Sequence, residues 1–265
     1  MDNRPIGIFD SGVGGLTVFS ELAKALPNED MIYLGDTKQF PYGNKSKETI
    51  IELSKKNIEF LIQKNVKAVV IACGTATSQA LESVKEKYNI PIIGIIEPTV
   101  MEIAKDNKTK KIGVIATTGT IRSNSWEKEI KNKLPGAEVI NKACPLLAQM
   151  AEEGWTENEI ARLTIKEYVM EFKEEPVDKL ILGCTHYPLF KSLIRQELGE
   201  KVEIIDTGKN VGKYLKKYLE KEGKQNQTKK ISEYQFYLTD MENEFLKVAS
   251  NLLKREIEIK KADVE

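Results

Sequence analysis

Leu180-Ile181-Leu182-Gly183-Cys184-Thr185-His186-Tyr187-Pro188-Leu189 is an apolar run that stops at a cysteine, with the chain's only histidine two residues later. It has a partner in Val69-Val70-Ile71-Ala72-Cys73-Gly74-Thr75-Ala76, a second apolar run that stops at a cysteine. Short runs rich in Val, Ile and Leu, bounded by small residues, read as parallel strands buried on both faces. The cysteines are 111 positions apart (184 minus 73), so the same strand-to-turn unit recurs in two halves of the chain.

Working outward, strand and helix patterns alternate nearly throughout. Ile6 to Phe9 reads as a strand, Asp10-Ser11-Gly12-Val13-Gly14-Gly15 as a tight turn, and Leu16 to Ala23 as a helix ending near Pro27. Met31 to Leu34 is the next strand, with a loop over Lys38-Gln39-Phe40-Pro41-Tyr42-Gly43 and Ser46 as the cap of a following helix. Beyond Cys73 come a helix from Thr75 to Tyr88, a strand from Ile90 to Ile96, and Glu97-Pro98 as the point where the chain leaves one domain. Lys111 to Ala116 restarts the alternation, followed by Thr117-Thr118-Gly119-Thr120, a helix over Ser123 to Leu134 and a strand over Ala137 to Ile140. A long helix over Glu157 to Glu174 precedes the Cys184 line, and Val202 to Asp206 leads into another helix. Glu220 to Lys230 reads as a mobile polar loop, Ser232 to Leu238 as an edge strand, Glu242 to Leu253 as a last helix, and the end as a charged tail. The fold class is therefore α/β: two pseudo-symmetric parallel-sheet domains facing each other across a substrate cleft. Residues 1–97 with 207–265 form one, and 98–206 the other. In such sheets ligands bind beyond the carboxyl ends of the strands, where Asp10, Asp36, Cys73, Thr117 and Cys184 all fall.

Composition narrows the function. The 265 residues carry 40 basic and 40 acidic side chains, so no basic field points to nucleic acid. No apolar run reaches membrane-spanning length, and the start of the chain lacks a signal peptide's pattern. Three widely spaced cysteines argue against a disulfide framework and for a cytoplasmic protein. The Gly12–Gly14 turn is not a dinucleotide fingerprint, since its third glycine would fall at Thr17, and no Lys-Ser or Lys-Thr closes it as a phosphate loop. One histidine and no Cys-x-x-Cys spacing speak against a metal.

A lone cysteine at a strand end is more often a small buried apolar residue than a catalyst. Two in the same setting, each before an expected helix start that favours thiolate, shift the balance. His186 is placed to help ionise Cys184, and Asp10 to assist Cys73. Cys144, before Pro145, lacks that setting and reads as structural. Two like acid-base groups on opposite sides of one carbon suit stereoinversion, one removing a proton while the other delivers one.

At these residues the sequence resembles a known family. Phe9-Asp10-Ser11-Gly12-Val13-Gly14-Gly15, Pro41-Tyr42-Gly43, Ala72-Cys73-x-Thr75-Ala76 and Gly183-Cys184-Thr185-His186-Tyr187-Pro188-Leu189 look like bacterial glutamate racemase, in order over nearly the whole chain. The resemblance implies a cofactor-independent two-thiol racemase that supplies D-glutamate for peptidoglycan. Cys73 would serve the D-isomer's proton and Cys184 the L-isomer's, with Asp10 assisting Cys73, and His186 with Glu152 (rather than Glu153) assisting Cys184. Ser11, Tyr42, Gly43, Thr75, Thr117 and Thr185 would hold glutamate, with Asp10, Pro41, Gly74 and His186 also lining the site. It implies a homodimer as well. The chain opens almost directly on its first strand, so an N-terminal extension that binds a cell-wall precursor in some relatives is not expected. Two departures stand out. Gly74 replaces the family's usual asparagine, which predicts one lost hydrogen bond, about 0.5–1.5 kcal/mol net. Leu147 to Ala151 replaces an aromatic- and proline-containing run beside Glu152. A racemase for aspartate or another acidic amino acid, and a non-catalytic amino-acid-binding protein on the same fold, are the competing readings.

Overall fold

The computed structural model describes residues 1–228, 231–241, 245–246, 249–250, 253 and 257–264. The first half runs β1 (Ile6–Asp10), α1 (Gly15–Ala25), β2 (Met31–Gly35), α2 (Lys47–Gln63), β3 (Ala68–Ile71), α3 (Gly74–Lys87), β4 (Ile92–Gly94) and α4 (Ile96–Ile103). The second runs β5 (Lys111–Ala116), α5 (Thr118–Arg122), α6 (Ser125–Lys133), β6 (Glu138–Ala143), α7 (Leu146–Glu152), α8 (Glu159–Val169), α9 (Glu171–Glu174), β7 (Lys179–Leu182), α10 (Lys191–Leu198) and β8 (Glu203–Asp206). The chain then returns through α11 (Thr207–Lys221) to β9 (Tyr234–Leu238) and β10 (Ile259–Lys261).

Two parallel sheets result. One has the order β10-β9-β2-β1-β3-β4, the other β6-β5-β7-β8. Strands β1, β2, β3 and β7 are buried along their whole length, which is what their unbroken apolar runs require. Helix starts are fixed locally: Ser46, Thr117, Asn158 and Asp206 each accept a backbone N–H of the first turn through the side chain. The halves share apolar packing. One core runs from Ile8 and Phe19 through Val100 of α4 and Leu215 of α11 to Val114 and Trp126. Gly208 and Gly212 let α11 lie close on α1, since a Cβ on either would stand 3.0 Å from Val18 Cα or Ala25 Cβ.

Several boundaries differ from those read off the sequence. The strand expected over 90–96 is the three-residue β4, and Glu97-Pro98 lies in the first turn of α4, where proline is tolerated. The helix expected over 123–134 is α6, which starts only after Asn124, whose φ of 57° no helix accommodates, and the turn expected over 117–120 runs into a further short helix, α5. The helix expected over 157–174 starts at the Asn158 cap and is divided at Met170. β9 is an interior strand, because three residues of the charged tail add β10 outside it. So short and polar a strand has no periodicity to read. The last expected helix, 242–253, lies largely outside the described residues, although Phe245, Leu246, Ala249, Ser250 and Leu253 are helical.

The polar segment after α11 is pinned rather than free in its described part. Lys67, with a fully buried side chain, pairs with Glu29 at 2.5 Å and donates to the carbonyls of Asp2 (2.7 Å) and Lys224 (2.8 Å). Glu29 in turn accepts the Asn226 backbone N–H at 2.9 Å. Composition alone does not reveal that a charged pair is waiting to bind such a loop.

Candidate active site

The carboxyl ends of β1, β3, β5 and β7 converge. Asp10 closes β1, Cys73 is the N-cap residue of α3, Thr117 caps α5, and Cys184 stands two residues beyond β7. Contacts between the halves stitch these ends together. The Thr185 hydroxyl donates to Asp10 Oδ2 at 3.1 Å, the Thr17 hydroxyl lies 2.9 Å from the Thr185 carbonyl, and the Val13 N–H donates to Glu152 Oε1 at 2.8 Å.

The two thiols have different surroundings. Cys73 is 5% exposed, and its Sγ donates to Ser11 Oγ at 3.7 Å. Burial pushes this thiol well above the ordinary cysteine range, and the Asp10 carboxylate adds to the effect. The charge of Cys184 raises it further. The expected ionising pull of a helix start at Cys73 is thus outweighed by desolvation. Cys184 does not sit at an α-helix start at all: a 3-10 turn over Tyr187–Phe190 separates it from α10. Its neighbour is His186, with Nδ1 3.6 Å from Sγ and Nε2 2.6 Å from Glu152 Oε1. Burial opposes protonation of His186, but hydrogen bonds to Cys184 and Glu152 outweigh it and hold the imidazole pKa well above its usual value. Glu152 fixes the orientation of the ring through Nε2 and, with Cys184, favours its protonated form. Glu153, one residue on, is exposed at the end of α7, so Glu152 is the carboxylate that reaches the histidine.

Asp10 is fully buried, and burial raises its pKa to about 6; the His186 charge and the bonds from Gly12 N–H and the Thr185 hydroxyl only partly offset this. Because the folded pKa lies above the unfolded one, the linked stability is full below about pH 4 and is lost as pH rises through about 6. Asp10→Asn is therefore expected to be more stable than the parent at pH 8, by up to about 3 kcal/mol, and no more stable at pH 4. Urea denaturation at the two pH values checks this. A destabilisation equal at both would mean that the lost acceptor, and not the charge, dominates.

Thr75 and Thr117 hydroxyls meet at 2.9 Å across the cleft, and Thr120, which the sequence reading did not single out, joins them at 3.3 and 2.9 Å. Its position in the same Thr117-Thr118-Gly119-Thr120 turn was the available signal. Phe40, also not singled out, sets its ring 5.6 Å from that of His186. Gly43 lies against Thr117, since a Cβ there would stand 2.8 Å from the Thr117 Cβ, and Pro41 opens the 3-10 turn that carries it. The Tyr42 phenol donates to Asp36 Oδ2 at 2.5 Å and accepts from Asn57 Nδ2 at 2.9 Å, so its hydroxyl is already engaged within the protein. Gly74, the departure from the family's asparagine, has its Cα against the Gly183 carbonyl. Leu147, Ala148, Met150 and Ala151 all pack into the core, holding the helix that presents Glu152. Cys144 is buried, donating weakly to the Lys142 carbonyl, while its own carbonyl accepts from the Tyr187 hydroxyl. Among the described residues no group of His, Cys, Asp or Glu is arranged to hold a metal, and no helix is long and apolar enough to cross a membrane.

Two buried cysteines thus stand just beyond strands of the two sheets, Cys73 after β3 and Cys184 after β7. The family described as Asp/Glu/Hydantoin racemase matches residues 6–211. The chain belongs to that family, whose members are isomerases. Within it the full-length likeness is to glutamate racemases. The chain is 44% identical over 266 residues to the glutamate racemase of Lactococcus lactis subsp. lactis, covering 100% of this chain and 98% of that one. The crystal structure of a Francisella tularensis glutamate racemase in complex with D-glutamate superposes with a TM-score of 0.92 at 40% identity, covering 100% and 99% of the two chains. The RacE1 isoform of glutamate racemase from Bacillus anthracis does so with a TM-score of 0.94 at 37% identity and the same coverage.

Proposed function

We propose that the chain interconverts L- and D-glutamate with Cys73 and Cys184 as opposed acid-base groups. The observation that carries this reading is the pair of buried cysteines just beyond strands of the two sheets, Cys73 beside the Ser11 hydroxyl and Cys184 beside the His186 imidazole. From L-glutamate, Cys184 as thiolate takes the α-proton and the Cys73 thiol delivers its own to the opposite face; from D-glutamate the roles reverse. Ionised Asp10 orients and accepts hydrogen bonds on the Cys73 side, while His186, held by Glu152, does so on the other. The hydroxyls of Ser11, Thr75, Thr117, Thr120 and Thr185, with main-chain amides at Tyr42 and Gly43, hold the carboxylates and ammonium and stabilise charge developing on the substrate. Burial around both sulfurs keeps water from reprotonating the carbanion without stereochemical control.

The same reading assigns residues 1–97 with 207–265 to the Cys73 domain and 98–206 to the Cys184 domain. Access is assigned to the groove of about 590 Å³ outside Gly43 and Gly119, where Lys45, Lys47, Arg122 and Lys128 face a single acid, Glu82, and favour an anionic amino acid. A homodimer in the cytoplasm, making D-glutamate for peptidoglycan, completes the proposal. Purified protein given L-glutamate alone, with no added cofactor, should bring it to an equal mixture of enantiomers, followed by polarimetry or chiral chromatography. Racemisation of aspartate but not glutamate would overturn the substrate assignment. Tight binding of glutamate with no racemisation would favour a non-catalytic binding protein.

A further inference from the structure

One turn, between β1 and α1, reaches the surroundings of both thiols. On one side Ser11 Oγ accepts from Cys73 Sγ at 3.7 Å, and the Gly12 N–H donates to Asp10 Oδ1 at 3.1 Å. On the other the Val13 N–H donates at 2.8 Å to Glu152 Oε1, the oxygen that also engages His186 Nε2 at 2.6 Å. The contact is close: a Cβ on Gly14 would stand 2.5 Å from His186 Nδ1, and one on Gly12 would overlap Glu152 Oε1. The Val13 and Gly14 carbonyls are committed to the start of α1, accepting the Leu16 and Thr17 N–H groups at 3.0 Å each. The Gly12 carbonyl accepts instead from a distant side chain, the Tyr33 hydroxyl, at 2.5 Å. Tyr33 is the middle residue of β2, fully buried, with its ring packed against those of Phe19, Phe236 and Phe245. A phenylalanine would fill the same space. What the phenol adds is its hydroxyl, which is costly in an apolar cluster unless it is bonded.

We propose that Tyr33 is a positioning residue for racemisation: by holding the Gly12 carbonyl it fixes the turn that sets Ser11 against Cys73 and Val13 against the Glu152–His186 pair. It acts through that turn and not on the substrate. The proposal rests on the two-thiol reading above and adds to it a residue that the sequence shows only as part of a buried strand.

Tyr33→Phe tests it, because that change keeps the ring and strands the Gly12 carbonyl. At a temperature where both proteins are fully folded, kcat/KM for glutamate is expected to fall about tenfold. The fall must be the same for both enantiomers, whose energies are equal. A double-mutant cycle supplies the readout that a merely structural role would not move. Glu152→Gln reports one end of the turn and Ser11→Ala the other. If Tyr33 acts through the turn, each double variant should lose at least about threefold less than the product of its single losses, since the alignment is already gone. A structural role gives losses that multiply. Phe236→Leu, which loosens the same aromatic cluster but keeps the hydroxyl, should lower Tm and leave kcat/KM within about threefold of the parent. Parent-like kcat/KM in Tyr33→Phe would overturn the proposal, as would multiplicative losses in both cycles or an equal loss of activity in Phe236→Leu. A Tyr33→Phe chain that does not fold would also count against it, since the hydroxyl would then serve the fold. If the parent itself fails to racemise glutamate, the two-thiol reading falls first; if the parent works and Tyr33→Phe matches it, only the role of Tyr33 falls.

Discussion

Cys73→Ala and Cys184→Ala are each expected to lose about 10³-fold or more of racemase activity in both directions, within the range that a positioned acid-base group supplies. Inversion needs a proton taken from one face and another given to the opposite face, so one thiol cannot complete it. No second acid-base side chain is ready to substitute. On the Cys73 side the Asp10 oxygens are occupied by the Gly12 N–H and the Thr185 hydroxyl. On the other, Nε2 of His186 is engaged by Glu152. Exchange of the α-hydrogen with heavy water separates this mechanism from a one-base alternative. Any exchange that survives should be confined to one enantiomer, L-glutamate for Cys73→Ala and D-glutamate for Cys184→Ala. Either variant turning over at the parent's rate would end the two-thiol reading. Cys144→Ala is the control, since that thiol touches the Lys142 carbonyl and none of the proposed acid-base helpers, and its activity should match the parent's.

Lys67→Met is expected to destabilise the fold by about 3–5 kcal/mol, the usual cost of removing one partner from a buried ion pair. Lys67 and Glu29 are 0% and 3% exposed at the side chain, so the orphaned carboxylate would have no solvent to turn to. The carbonyls of Asp2 and Lys224 lose their donor as well. The double variant Lys67→Met with Glu29→Leu should recover part of the loss, because replacing both charges removes the desolvation penalty. Urea denaturation measures both variants. A Lys67→Met protein within 1 kcal/mol of the parent would show that water reaches Glu29. Below its melting temperature the variant should keep its catalytic rate, since Lys67 precedes β3 and lies at the opposite end of the sheet from Cys73.

Much of the site was legible because its bearers are local. An apolar strand followed by a small-residue turn announces itself over eight or ten residues, and ligand sites follow at the carboxyl ends of such strands. Asp10, Cys73, Thr117 and Cys184 were found in that way. Thr120 and Phe40 were not, because each sits in a run whose partner lies elsewhere in the chain. That the Tyr42 hydroxyl is engaged by Asp36 and Asn57 was not legible either, because both lie outside its local run.

The amino-acid order alone determined the α/β alternation, the parallel sheets, the paired cysteine turns and the candidate helpers, since helix caps, glycine turns and buried apolar runs are decided by near neighbours. Only the tertiary structure decided that burial dominates the Cys73 thiol, that His186 is oriented by Glu152, that Asp10 is answered by Thr185, and that Gly74 lies against a carbonyl. Each of these depends on desolvation or on a contact between distant segments, and both come into being only when the two halves close on one another.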